Sequence, residues 1–139
     1  MPYLHTPQEL RDVLKSARVV AIMGLSAKPD QASYSVGRYL HSAGYTIYPV
    51  NPTISEWEGL KSYSTLADIP EKVDIVDVFR GAQHLPRIIE EAIAVGAKTV
   101  WAQLGIENPD AKTLAETNDI NLVMNRCMKI EHMKMQALG

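Results

Sequence analysis

Apolar residues fall into two arrangements along this chain: short unbroken runs, and stripes spaced three and four residues apart. The runs predict buried strands and the stripes predict amphipathic helices. A first helix opens at Thr6-Pro7-Gln8-Glu9, with Thr6 as N-cap, Pro7 as first helical residue and Glu9 closing a capping box. Leu10, Val13 and Leu14 form its apolar face. Val19-Val20-Ala21-Ile22-Met23-Gly24 is almost wholly apolar, as suits a central strand covered on both faces. A polar loop, Leu25 to Ala32, leads to a helix starting near Ser33 to Ser35 and stopped by Gly44. The second strand is Thr46 to Val50. Pro49 within it lacks an N–H, so the strand ends there or turns that side away from a neighbour. Residues 52–72 read as a connection with one helical turn near Leu66 to Ile69. Val73 to Phe79 is the third strand. A helix from Leu85 to Val95 follows, stopped by Gly96. Thr99 to Leu104 is the fourth strand, Asn108-Pro109 caps and opens another helix, and Leu122 to Met124 is the fifth strand. Residues 126–139 read as a short amphipathic tail packing back on the rest.

Strands alternating with helices predict an α/β protein: a Rossmann-like, doubly wound parallel sheet of five strands with helices on both faces. Right-handed crossovers favour the strand order 3-2-1-4-5. A chain of 139 residues suits one domain spanning 1–139. In such sheets ligands bind beyond the carboxyl ends of the strands, so the loops after Met23, Val50, Phe79, Gln103 and Met124 are the ones to examine.

Composition narrows the classes. Fourteen basic against sixteen acidic residues leave a net charge of -2, with no footprint for nucleic acid or an anionic membrane. No apolar run approaches the ~20 residues that span a bilayer, and the N-terminus lacks the form of a signal peptide. Cys127 is the one cysteine, which fits a reducing, cytoplasmic setting. No pattern specifies an oligomer, so a homodimer or another protein partner stays open.

The loop from Gly24 through Leu25, Ser26, Ala27 and Lys28 to Ser33 and Tyr34 joins the most buried strand to a helix N-terminus, where an anion is well placed. Its serines either cap that helix or bind phosphate. The loop is neither the three-glycine dinucleotide fingerprint nor a P-loop, and the second strand ends in Pro49-Val50-Asn51-Pro52 without the acidic residue that holds an NAD ribose. Asn51 either meets a nucleoside or makes an Asn-Pro turn. Arg80 either meets a phosphate or pairs with Asp77. Gln103 and Gly105 after the fourth strand, and Arg126 and Cys127 after the fifth, put further polar groups at the same edge.

Gly24-Leu25-Ser26, Lys28-Pro29, Ser33-Tyr34, Pro49-Val50-Asn51-Pro52, Asp68-Ile69-Pro70, the segment Val73 to Arg80, Gln103-Leu104-Gly105-Ile106 and the segment Arg126 to Glu131 occur together in this order. With them the chain resembles the stand-alone CoA-binding domain proteins, which share the fold of the N-terminal domain of the succinyl-CoA synthetase α subunit. The resemblance implies coenzyme A, or an acyl-CoA, as ligand. It implies Gly24, Ser26, Ser33 and Tyr34 around the diphosphate, with Ala27 and Lys28 in the same loop, and Pro49, Val50 and Asn51 beside the adenosine. Phe79 and Arg80 would flank the nucleotide or pantetheine, Gln103 and Gly105 would lie further along the edge, and Arg126 and Cys127 would close the groove. The synthetase's phosphorylated histidine belongs to a second domain, so its activity does not transfer with the resemblance.

No catalytic set stands out. None of His5, His41, His84 and His132 has a nucleophile or metal-ligand partner at a telling spacing. Asp74 and Asp77, three apart on a strand, face opposite ways and make no carboxylate dyad. Cys127, with Arg126 and Lys129 nearby, is either a reactive thiol or an inert buried one. The sequence thus favours a non-catalytic CoA-binding module. A small enzyme, either an NAD(P)-dependent reductase or an acyl-CoA-processing enzyme using Cys127, is the alternative.

Overall fold

A computed structural model describes residues 2–138. Five strands form one parallel sheet: β1 (Val19–Met23), β2 (Thr46–Val50), β3 (Ile75–Val78), β4 (Thr99–Ala102) and β5 (Asn121–Val123). Every residue of β1, β3 and β4 is buried, as strands covered on both faces require. Helices α1 (Pro7–Ser16), α2 (Ala32–Ser42) and α5 (Met128–Ala137) cover one face. Helices α3 (Leu85–Ala94) and α4 (Pro109–Asn118) cover the other.

The order across the sheet is β2-β1-β3-β4-β5, which corrects the predicted 3-2-1-4-5. Both orders satisfy right-handed crossovers, so local pattern does not separate them. The outer edge of β2, where the third strand was expected, is taken by Tyr63. Its N–H donates to the Pro49 carbonyl at 2.9 Å, and its carbonyl accepts from Asn51 N–H at 2.9 Å. Pro49 faces its missing donor to this edge, so β2 runs on through Val50. The chain then crosses back over β1 and lays β3 on its far side. Winding therefore reverses between β1 and β3, and that gap at the carboxyl ends is where such a sheet offers a crevice.

Local chemistry sets the element ends. Thr6 and Glu9 make the predicted capping box: Thr6 Oγ1 accepts from Glu9 N–H at 3.2 Å, and Glu9 Oε1 accepts from Thr6 N–H at 3.1 Å. Asn108 Oδ1 accepts from Asp110 N–H at 2.9 Å, and Pro109 opens α4. Losing such a cap costs about 1 kcal/mol. Asn108→Ala is therefore expected to lower the urea midpoint by that equivalent, with an unchanged slope. The serines predicted to open α2 do not cap it, because the helix begins at Ala32 and its N-cap is Gln31. Between β2 and β3 lies an antiparallel hairpin, Glu56–Trp57 paired with Leu60–Lys61, which the sequence pattern did not reveal.

Candidate functional site

The crevice at the β1/β3 reversal has a volume of about 270 Å³ and is lined by Gly24, Val50, Asn51, Thr53, Ser64 and Arg80, among others. Residues from the ends of β1, β2 and β3 thus meet in one concavity, as their places at the carboxyl edge predicted. Gly24 forms its floor between β1 and β3. Its φ is +79°, and a Cβ there would come within 3.1 Å of the Phe79 carbonyl oxygen and 3.3 Å of Arg80 Cγ. Gly24 N–H continues the ladder by donating to the Val50 carbonyl at 3.1 Å.

The loop leaving Gly24 has an uneven distribution of polar groups. The Leu25 carbonyl accepts from Asn51 Nδ2 at 2.9 Å, and the Ser26 carbonyl accepts from Trp57 Nε1 at 3.0 Å. Ser26 N–H donates to Ser33 Oγ at 2.9 Å, and Ser26 Oγ accepts from Lys28 N–H at 3.0 Å. Among the described residues, the N–H groups of Leu25 and Ala27 have no acceptor. Two carbonyls are thus capped by side-chain donors while the exposed Ala27 amide stays free; Leu25 is wholly buried. Exposed Arg80 stands on the crevice lip and exposed Lys28 in the adjoining loop. This balance suits an anion.

Several expected ligand residues are already engaged elsewhere. Asn51 spends its amide on the loop and its Oδ1 on Thr53 N–H and Thr53 Oγ1, at 2.9 and 2.7 Å, so the Asn-Pro turn is real. Ser33 is buried with its hydroxyl on Ser26. Tyr34 donates its hydroxyl to Glu58 at 2.7 Å and packs edge-on against Trp57. Gly105 N–H donates to Asn125 Oδ1 at 2.7 Å in an exposed turn. Arg126 lines a separate crevice of about 200 Å³ between α1 and α5, with Arg11, Lys134 and His5. Cys127, half-buried, is the N-cap residue of α5, and Phe79 packs half-buried on the same side of the sheet. Among the described residues, no three His, Cys, Asp or Glu side chains gather as metal ligands, and no helix is long and apolar enough to cross a membrane.

One polar pair escaped the sequence reading. Asp77, wholly buried on β3, accepts a hydrogen bond from Gln103 Nε2, and Gln103 Oε1 accepts from Met128 N–H at 3.4 Å. Asp77 Oδ2 has no partner among the described residues. Burial pushes the Asp77 carboxyl up to about 7, and the Gln103 bond offsets only part of that. The alternative Asp77–Arg80 pairing is not made: Asp77 turns inward to Gln103 while Arg80 is exposed. Gln103, expected along the ligand edge, is 3% exposed, with its amide spent on Asp77 and its oxygen on the Met128 N–H.

A doubly wound sheet with a crevice at its switch point is the arrangement in which such folds take up ligands. Within that class of fold, residues 18–133 match the model of the CoA binding domain family, and the chain belongs to that family. It is 38% identical to the Bacillus subtilis (strain 168) protein YneT over 124 residues, 89% of this chain and 92% of that one. It is 34% identical over 95 residues to the alpha subunit of an ADP-forming acetate–CoA ligase from Pyrococcus furiosus. That match covers 64% of this chain but only 21% of the subunit. A solved structure of a hypothetical protein from Pyrococcus horikoshii OT3 superposes with a TM-score of 0.91 at 37% identity, covering 97% of this chain and 94% of that one.

Proposed function

We propose that this protein is a non-catalytic, cytoplasmic module that binds CoA or an acyl-CoA along the carboxyl edge of its sheet. The diphosphate lies against the loop from Gly24 to Lys28 and the nucleoside lies in the crevice bordered by Val50, Asn51 and Arg80. The observation that carries this reading is the loop's polarity: the carbonyls of Leu25 and Ser26 are occupied, the exposed Ala27 amide is free, and Arg80 lines the adjoining crevice with Gly24. Phosphate oxygens accept hydrogen bonds and donate none, so they suit free amides and a guanidinium. No carboxylate ends β2, and Asn51 is already engaged, which disfavours the ribose contact of an NAD site. The thiol end of the ligand runs past Phe79 and the Gln103–Gly105 turn toward Cys127.

Thermal unfolding with CoA, acetyl-CoA, NAD, NADP and ATP in parallel tests this. A ligand that binds only the folded state at a hundredfold excess over its dissociation constant adds about 2.7 kcal/mol of stability. CoA species are expected to raise the melting temperature, and Cys127→Ala is expected to respond as the wild type does. A shift with NAD or NADP and none with CoA overturns the reading.

A further inference from the structure

Among the described residues, the hairpin between β2 and β3 touches the anion-suited loop through one polar contact, and that contact is made by a tryptophan. Trp57 is 2% exposed. Its ring lies over Gly37 of α2, where a Cβ would come within 3.1 Å of the ring carbons, and edge-on to Tyr34. Its one polar atom, Nε1, donates to the Ser26 carbonyl. A buried indole N–H needs an acceptor, but the loop is affected as much as the indole. A free Ser26 carbonyl would present negative charge close to the Ala27 amide, which belongs to the same peptide group. Holding that carbonyl on Trp57 fixes the peptide plane and points its N–H the opposite way. Asn51 fixes the preceding peptide through the Leu25 carbonyl, and that peptide's own N–H, on Ser26, is taken by Ser33 Oγ. The hairpin has its own fastening to α2, independent of the indole: Glu58 takes the Tyr34 hydroxyl through Oε2 and Arg38 Nη1 through Oε1 at 3.0 Å.

We infer that Trp57 is a positioning residue for the anion loop: its indole N–H orients the Ser26–Ala27 peptide so that the Ala27 amide faces the bound diphosphate. The inference rests on the proposed CoA site, and it assigns the hairpin a role in affinity rather than in folding alone.

Two replacements remove the N–H and keep an aromatic ring at position 57, the first leaving part of the indole's buried volume empty and the second filling it. One is Trp57→Phe. The other is site-specific incorporation of the benzothienyl analogue of tryptophan, which has sulfur in place of the N–H. One hydrogen bond is worth up to about tenfold in an equilibrium. Titration calorimetry, well below each variant's melting temperature, is expected to show CoA binding weakened about fivefold in both. In ligand-free protein, the backbone amides of residues 25–28 are expected to exchange hydrogen faster than in the wild type. Arg38→Ala cuts the hairpin's ion pair and leaves the indole bond, so its CoA affinity is expected to stay within about twofold of wild type. Wild-type affinity and unchanged exchange in the benzothienyl variant overturn the inference. So does an Arg38→Ala variant that loses as much affinity as Trp57→Phe, since general loosening of the hairpin would then account for the effect. A wild type that takes no CoA defeats the proposed function instead, and the exchange comparison still decides whether Trp57 orients the loop.

Discussion

Asp77→Asn is expected to gain stability over the wild type as pH rises, by about 2–3 kcal/mol between pH 5 and pH 8. The sign follows from where the proton is held. In the unfolded chain the carboxyl has its ordinary value of 3.8, and in the fold burial raises it to about 7. The folded protein therefore binds this proton more tightly than the unfolded chain does. The contribution is fully present below pH 3.8 and is lost as pH rises through about 7, where the native state must hold a desolvated carboxylate. Asparagine cannot ionise, so its variant escapes that loss. It still accepts from Gln103 through Oδ1 and still buries one polar atom at the place of the unpartnered Oδ2. That residual cost, about 1–3 kcal/mol for a buried unsatisfied group, is the same at every pH. The difference between the two proteins across the pH range is thus cleaner than their difference at any one pH. Urea unfolding of both at pH 5, 6, 7 and 8 measures it. Parallel curves would mean that Asp77 keeps its ordinary acidity in the fold.

The same residue shows where the sequence stops being legible. Asp77 and Asp74 stand out as acids in an apolar strand, and their opposite orientations follow from period-two geometry. Asp74 indeed faces elsewhere, with Oδ2 accepting from the N–H groups of Arg18 and Val19 at 2.8 and 3.0 Å. Nothing local reveals that Asp77 meets Gln103, because that contact depends on β3 and β4 being neighbours in register. The strand order failed for a related reason: local pattern yields each strand but not which edge of β1 receives the third. That outcome turns on the contacts of Tyr63 with Pro49 and Asn51. The hairpin strands are two residues each, too short for any periodicity to register. By contrast, the helix caps at Thr6 and Asn108 and the continuous run of β1 are local signals, and they survive in the fold. The candidate site divides the same way. Gly24, Val50, Asn51 and Arg80 were placed by the rule that loops at one sheet edge converge. Asn51 and Ser33 nevertheless hold the loop itself together, and Arg126 lines another crevice.

Gly24→Ala is expected to weaken CoA binding at least tenfold, whereas Gly44→Ala leaves it unchanged, although both replace a glycine with positive φ. Gly24 has φ +79° and Gly44 has φ +104°. An L-residue in such a conformation costs roughly 1–2 kcal/mol, so both variants should lose about that much stability from backbone strain alone. Their surroundings differ. A Cβ at Gly44 meets nothing within 4 Å, and this position follows α2 at the start of the turn into β2. A Cβ at Gly24 meets the Phe79 carbonyl oxygen at 3.1 Å and the base of the Arg80 side chain at 3.3 Å. Backbone just past β3 must give by a few tenths of an ångström to admit it, because a main-chain carbonyl cannot rotate aside as a surface side chain can. The methyl fills the space at the crevice floor, and the shift displaces Arg80, one of the groups proposed to meet phosphate. Gly44→Ala therefore reports the strain by itself, and the excess in Gly24→Ala reports the crevice. Urea unfolding measures the first quantity and CoA titration the second. If Gly24→Ala binds CoA as the wild type does, the ligand does not lie over the β1/β3 switch point, and the edge near Gly105 and Cys127 becomes the place to look.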